Sequence, residues 1–331
     1  MTTRKFIVLL FFILHCNEKS VMSNTVEQPS SRLRNIFKIQ KENKFNSYRA
    51  RVKSMRNRKD DNDEGFHFLV TGGYRPEVNE LAKYVVSIRT PAEMYFGDSH
   101  ICGGTIISRD TILTAAHCLY DRKEKVQRNP KYLTVVAGTP GRLLKTDQTQ
   151  EMEVRIIICH PRYSRQKHDV ALLKLVGKLQ IDNEFVGIMN ITGKPPKAGL
   201  PCTTAGWGAL FKDGPLPDII TNGDVQIQAM SKCRENEDAR RLMSVGMICA
   251  GNPHNREIDA CNGDSGGPLI CENKLVGIVS WGVGCGRKDS YGFYTDVYYY
   301  KKFIDDNAAT QAKVMQCWYY LLLVLLAICL L

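Results

Sequence analysis

Three short stretches of the chain carry residue types that could do chemistry together. Thr114-Ala115-Ala116-His117-Cys118 ends an apolar run on a histidine. His168-Asp169-Val170-Ala171-Leu172-Leu173 sets an acid at the mouth of an apolar strand, and Gly263-Asp264-Ser265-Gly266-Gly267-Pro268 sets a serine in a glycine-rich turn. A serine hydroxyl is a poor nucleophile at neutral pH, so a base with a pKa near 7 must take its proton as it attacks a carbonyl. His117 suits that role. A buried carboxylate on the far ring nitrogen would fix the tautomer and stabilise the imidazolium, which is the part read for Asp169. The glycines let the backbone approach closely and turn the amides of Gly263 and Ser265 toward one point, an oxyanion hole in which each donor is worth about 3 kcal/mol of barrier. The chain order His, Asp, Ser is one of the few known for a nucleophilic triad.

Such residues need a scaffold. From Leu69 to about Lys313 the sequence consists of short apolar or alternating runs separated by Gly, Pro, Asn and Asp. The runs include Tyr84 to Ile88, Gly104 to Ile107, Thr111 to Thr114, Tyr132 to Ala137, Val154 to Ile158, Val170 to Leu175, Val225 to Gln228, Leu275 to Ser280 and Gly292 to Val297. This spacing predicts an all-β sandwich or pair of barrels, with two halves joined near Gly177 to Gly199. Only the stretch from about Tyr299 to Ala312 reads as helical.

The chain has 331 residues and a formal net charge of +11. Between Ser30 and Lys59 eleven basic residues face one acid, Glu42, so nearly all of the excess sits there and the rest is close to neutral. That distribution, with no stacking aromatics interleaved in the basic run, argues against a nucleic-acid partner. Hydrophobic residues at 44% and charged residues at 24% exclude a wholly disordered or fibrous chain. Twelve cysteines point to an oxidising compartment.

The two ends add to this. Arg4 and Lys5 precede nine apolar residues, Phe6 to Leu14, the layout of a secretory signal over residues 1–23, cut after Ser23 or after Cys16. Residues 24–68 are polar and basic and read as a disordered pro-segment able to bind acidic glycans or lipids, or simply removed. Residues 69–313 form the folded domain. Residues 314–331 form a hydrophobic tail, read as a glycolipid-anchor signal, a short transmembrane segment or a buried terminal helix. The expected location is secreted or extracellular, with the tail as a membrane anchor at the cell surface.

Taken together, the three stretches resemble the chymotrypsin and trypsin family of serine endopeptidases over about Leu69 to Gln311. The resemblance implies two six-stranded antiparallel β-barrels with a C-terminal helix and the triad in the cleft between them. It implies that Ser280, in Ser280-Trp281-Gly282, supports the catalytic aspartate and, with Trp281, lines the substrate site. It pairs Cys102 with Cys118, Cys202 with Cys271, Cys233 with Cys249 and Cys261 with Cys285, and leaves Cys159 either free or cross-linked to Cys317. A loop the size of Cys102 to Cys118 is worth about 3 kcal/mol in the chain-entropy model. It places Asp259 at the base of the specificity pocket with Gly282 and Gly292 as walls, an arrangement that in trypsin-like members accepts Arg or Lys. Its partners are then protein or peptide substrates with Arg or Lys before the scissile bond, and protein inhibitors. Tyr291 and Thr139 stand where the family's sodium and calcium sites would need other residues, so no metal and no cofactor is expected.

The pattern departs at one point. Family members mature by a cut after a basic residue, and the new amino terminus pairs with the acid before the nucleophile, here Asp264. The corresponding stretch, Leu69-Val70-Thr71-Gly72-Gly73-Tyr74, follows His67-Phe68 with no Arg or Lys. A non-catalytic homologue acting as a binding or regulatory protein is therefore the alternative. Asn190-Ile191-Thr192 is a glycosylation sequon at Asn190.

Overall fold

The computed structural model describes residues 72–91, 96–121, 126–255 and 257–308. The signal, the basic pro-segment, the hydrophobic tail and Cys317 lie outside the described residues. Among those described, no helix is long and apolar enough to cross a membrane.

Twelve strands form two closed antiparallel barrels. The first contains β1 (Val85–Arg89), β2 (His100–Ser108), β3 (Thr111–Thr114), β4 (Thr134–Ala137), β5 (Gln150–Cys159) and β6 (Ala171–Leu175), in the order β1-β2-β3-β6-β5-β4 and closed by β4 on β1. The second contains β7 (Pro201–Gly206), β8 (Thr221–Ile227), β9 (Met247–Gly251), β10 (Pro268–Cys271), β11 (Lys274–Gly282) and β12 (Gly292–Asp296). Its order is β10-β11-β12-β9-β8-β7, closed by β7 on β10. No strand runs between β6 and β7, so the connection spans the expected junction of the two halves. Closing each sheet removes its edges, which short strands of this kind would otherwise expose.

Branched and aromatic residues fill the barrels. Ile88, Ile106, Leu113, Leu172 and Leu173 are buried in the first, and Val225, Leu269, Val276 and Tyr294 in the second. Several strands outrun the expected segments: β2 begins at His100 and β5 at Gln150. Polar residues at those ends hide the pattern, although they pair normally.

The expectation of a single helical stretch needs correction. α1 (Met230–Cys233) and α2 (Glu237–Leu242) precede the terminal helix α3 (Lys301–Ala308). The side chain of Asn236 accepts the Ala239 N–H as the cap of α2, with Glu237 and Asp238 in the first turn and Arg240 and Arg241 in the last. Capping and charge complementary to the helix dipole thus support a helix too short to show an apolar period.

Candidate active site

Strand pairing positions the first two residues. Thr114 at the end of β3 pairs with Ala171 at the start of β6, so the segments flanking these ends run side by side. His117 lies on the 3-10 turn Ala116–Leu119 after β3, and Asp169 lies two residues before β6. His117 Nδ1 is 2.7 Å from Asp169 Oδ2, and the His117 backbone N–H donates to Asp169 Oδ1 at 2.8 Å. The Cys102–Cys118 disulfide ties the histidine turn to β2. Asp169 is buried, with 2% of its surface exposed. His168, just before it, adopts a left-handed φ of 53° and its Nδ1 is 2.9 Å from the Tyr300 hydroxyl.

Ser280 completes the carboxylate's shell. The β11–β12 register shifts between Val279 and Trp281, a bulge that redirects the residue between them. Ser280 Oγ donates to Asp169 Oδ2 at 2.5 Å. From the second barrel Thr295 Oγ1 donates to the Asp169 carbonyl at 2.7 Å, fixing the backbone as well as the side chain.

Ser265 sits in the tight turn before β10. The Asp264 N–H donates to the Cys261 carbonyl and the Gly267 N–H to the Asp264 carbonyl, while the Gly103 N–H of β2 donates to the Ser265 carbonyl at 2.8 Å. The last bond joins the two barrels at the serine itself. His117, Asp169 and Ser265 all line one cleft of about 870 Å³. Among the described residues no hydrogen bond joins Ser265 Oγ to His117 Nε2; such contacts tighten when substrate binds. Asp264, under the turn, is fully buried: its Oδ1 accepts the Gly208 N–H at 2.7 Å and its Oδ2 the Cys261 N–H at 3.0 Å. Burial pushes its carboxyl up to about 6 against the pull of those two donors.

Gly282, Gly292, Ser280 and Trp281 also line the cleft, and Asp259 lies behind Gly292. A Cβ on Gly292 would stand 2.5 Å from Asp259 Oδ1, so any side chain there would fill the space above the carboxylate. Asp259 is 7% exposed; its Oδ2 accepts the Gly286 N–H at 3.1 Å, and its Oδ1 has no partner. Burial pushes this carboxyl up to about 7, and nearby Asp264 adds to the rise. The Tyr294 hydroxyl and Trp281 Nε1 are likewise buried without a partner. Trp281 stacks flat on Phe293 at 4.0 Å. A buried carboxylate oxygen and a buried hydroxyl without partners are costly, and a cation with several N–H donors would satisfy them.

The structure contains the disulfides Cys102–Cys118, Cys202–Cys271, Cys233–Cys249 and Cys261–Cys285, and Cys159 is a free thiol that burial pushes up to about 12. Asn190 is exposed, with its carbonyl accepting the Leu275 N–H. Possible ligand atoms of Cys102, His117 and Cys118 lie within 4.8 Å of one another, but both sulfurs belong to one disulfide, so this group is not a metal centre. Tyr120, Tyr163, Arg165, Gln166 and Lys212 line the cleft and carry no motif that sequence reading could use.

Known proteins resemble this chain over most of its folded part. The family model for trypsin matches residues 70–304. The chain is 33% identical to human putative trypsin-6 over 76% of its own length and 93% of the relative's. It is 37% identical to Drosophila melanogaster trypsin eta, over 67% of this chain and 82% of that one. Among solved structures, it resembles neuropsin, a serine protease expressed in the limbic system of mouse brain. That match has a TM-score of 0.60 and 28% identity, covering 70% of this chain and 97% of the other.

Proposed function

The chain belongs to the trypsin family of serine proteases, and from that premise we propose that it is an exported endopeptidase cleaving after Arg or Lys. Ser265 Oγ attacks the scissile carbonyl while His117 Nε2 takes its proton. Asp169 holds the ring by Nδ1 and stabilises the imidazolium that forms. The amides of Gly263 and Ser265 receive the oxyanion, and the protonated histidine then delivers its proton to the leaving amine, giving an acyl-enzyme that water hydrolyses. Asp264 supports the turn that presents these amides.

One observation carries the substrate class: the partnerless Oδ1 of Asp259, buried beside a partnerless Tyr294 hydroxyl. A guanidinium or ammonium group entering between the Gly282 and Gly292 walls supplies donors to both. Ser280, Trp281 and Gly282 offer the edge along which the substrate backbone lies. The export signal, the membrane-anchoring tail, glycosylation at Asn190 and maturation from a precursor belong to the same reading.

The test is hydrolysis of Arg-terminated and Phe-terminated peptide amides by the purified chain, before and after limited proteolysis around Leu69, with Ser265→Ala as control. Turnover of the Arg substrate alone, abolished in the control, is the expected result. A correctly disulfide-bonded, processed protein that cleaves neither substrate is instead a binding or regulatory homologue.

A further inference from the structure

Two cations that line the catalytic cleft have no acid partner among the described residues: Arg165 and Lys212, both exposed. The acids of the cleft lining are already engaged. Asp169 is buried and held by Ser280 and His117, and Asp121 faces Arg128 at 3.8 Å.

Arg165 stands at the tip of a short hairpin. The Ser164 N–H donates to the Lys167 carbonyl at 3.1 Å and the Lys167 N–H to the Ser164 carbonyl at 2.9 Å, which leaves Arg165 and Gln166 as a two-residue turn. Arg165 holds a φ of 53° there, a conformation that glycine adopts freely and an arginine adopts only with strain. The base of the hairpin is fixed on both strands. On one, the Tyr163 ring meets the Tyr120 ring at 5.0 Å; on the other, His168 stacks on His160 at 4.8 Å and reaches the Tyr300 hydroxyl. A backbone held this way presents the arginine to the cleft with little loop entropy left for binding to remove.

The hairpin runs directly into His168 and Asp169, and Asp169 is joined to Ser280, where the edge for the substrate backbone begins. A substrate extended along Ser280 to Gly282 turns its Arg or Lys side chain into the pocket walled by Gly282 and Gly292. Successive side chains of an extended chain point to opposite faces. The residue directly before that Arg or Lys therefore points out of the pocket, toward the first barrel, and the residue two further back does the same. On that side the cleft is lined by His117, Tyr120, Tyr163, Arg165 and Gln166, and Arg165 supplies the charge that is left unmatched.

We propose that Arg165 reads a carboxylate in the substrate, so that this chain favours peptides with Asp or Glu directly before the cleaved Arg or Lys, or two residues further toward the amino terminus. The inference rests on the protease reading of the same cleft and narrows its substrate class.

The experiment uses the full chain processed around Leu69 and two sets of fluorogenic amides, acetyl-Ala-Ala-X-Arg and acetyl-X-Ala-Ala-Arg, with Asp, Asn or Lys as X. In at least one set Asp should exceed Asn in kcat/KM by about 5-fold, the upper range for an exposed ion pair, carried mainly by KM. Lys should fall below Asn, and the Asp advantage should shrink when the salt is raised to about 0.5 M. Arg165→Gln should bring the Asp-to-Asn ratio to about 1, and Arg165→Glu should invert the order in favour of Lys. Lys212→Gln removes the same unit of charge from the cleft without touching the hairpin, so it should leave the ratio within about 2-fold of wild type. A wild-type ratio near 1 in both sets, a preference that survives Arg165→Gln, or an equal loss in Lys212→Gln overturns the proposal. Calorimetric binding of the same peptides, as simple amides, to the processed Ser265→Ala protein separates this outcome from failure of the protease reading. If the wild type hydrolyses no Arg peptide, yet the Asp peptide binds more tightly than the Asn peptide and loses that advantage in Ser265→Ala/Arg165→Gln, the protease reading fails and the carboxylate site stands. Equal binding of all the peptides, or of none, defeats the site as well.

Discussion

Ser280 Oγ donates to Asp169 at 2.5 Å, on the same carboxylate oxygen that faces His117 Nδ1. The aspartate carboxylate is therefore held by three groups, Ser280, His117 Nδ1 and the His117 backbone N–H. Hydrogen bonds to a charged acceptor are worth roughly 1.5–3 kcal/mol, so Ser280→Ala should lower kcat by about 10-fold or more. Because the backbone of residue 280 remains, KM should stay near its wild-type value. Steady-state kinetics on an Arg amide checks this; a rise in KM with unchanged kcat would mean that the hydroxyl serves binding instead.

The carboxyl of Asp259, pushed up to about 7 by burial, makes pocket affinity depend on pH. A cationic side chain needs the ionised form, so benzamidine should bind more weakly as pH falls through 7, with proton release on binding measurable by calorimetry in two buffers. The sign for the empty protein is opposite. A folded pKa above the ordinary 3.8 contributes stability that is present below pH 4 and lost as pH rises through 7, an amount of roughly 4 kcal/mol at about 1.4 kcal/mol per pKa unit. Asp259→Ser should remove both effects, abolishing benzamidine binding while flattening this part of the stability profile. Denaturant unfolding between pH 4 and 8 gives the comparison.

Much of this was legible in the chain. His117, Asp169 and Ser265 lie in segments whose composition announces them, and the short punctuated runs predict an all-β sandwich or a pair of barrels, of which the family resemblance selects the barrels. What escaped did so for physical reasons. β7 (PCTTAG) and β9 (MICAG) are short and rich in small residues, and β9 and the end of β7 are buried on both faces by the closed barrel, so neither a sustained period 2 nor a long apolar run appears. Arg89 ends a run that alternation would turn to solvent, yet it is buried because Phe96 and Arg142 cover it. His100 meets Gly263 across 163 positions, a relationship that no local pattern encodes.

Activation follows from sequence and structure together. Family members pair the acid before the nucleophile with a new amino terminus, and Asp264 lies buried under the serine turn, where its oxygens accept from the Gly208 and Cys261 backbone N–H groups among the described residues. No Arg or Lys immediately precedes the Leu69-Val70 segment, so neither trypsin nor a protease of the Arg/Lys preference proposed for this chain is suited to make the cut. Incubation of the full chain with trypsin should therefore give no Arg-amidase activity beyond trypsin's own once that enzyme is inhibited. A protease that prefers large apolar residues should release it, with Leu69 or Val70 as the new first residue by mass spectrometry. Activity in the uncut chain would show that maturation is not required.

The terminal helix is fastened by a cation within the first barrel. Lys174, on β6 and 6% exposed, donates from Nζ to Thr111 Oγ1 at 2.9 Å and to the Ala308 carbonyl at 2.8 Å. Burial lowers the lysine, with the charge of Asp110 opposing that fall. The second of these bonds ties a residue of α3 directly to the strand beneath it. Lys174→Met keeps the bulk of the side chain but leaves the carbonyl and the Thr111 hydroxyl without this donor. The expected cost is about 1–3 kcal/mol. It should appear as a lower unfolding midpoint and as faster amide exchange confined to residues 303–308. Since Ser265, His117 and Asp259 lie elsewhere, kcat on an Arg amide should be unchanged; a fall in kcat without a change in the midpoint would place the lysine in the active-site framework rather than in the anchoring of α3.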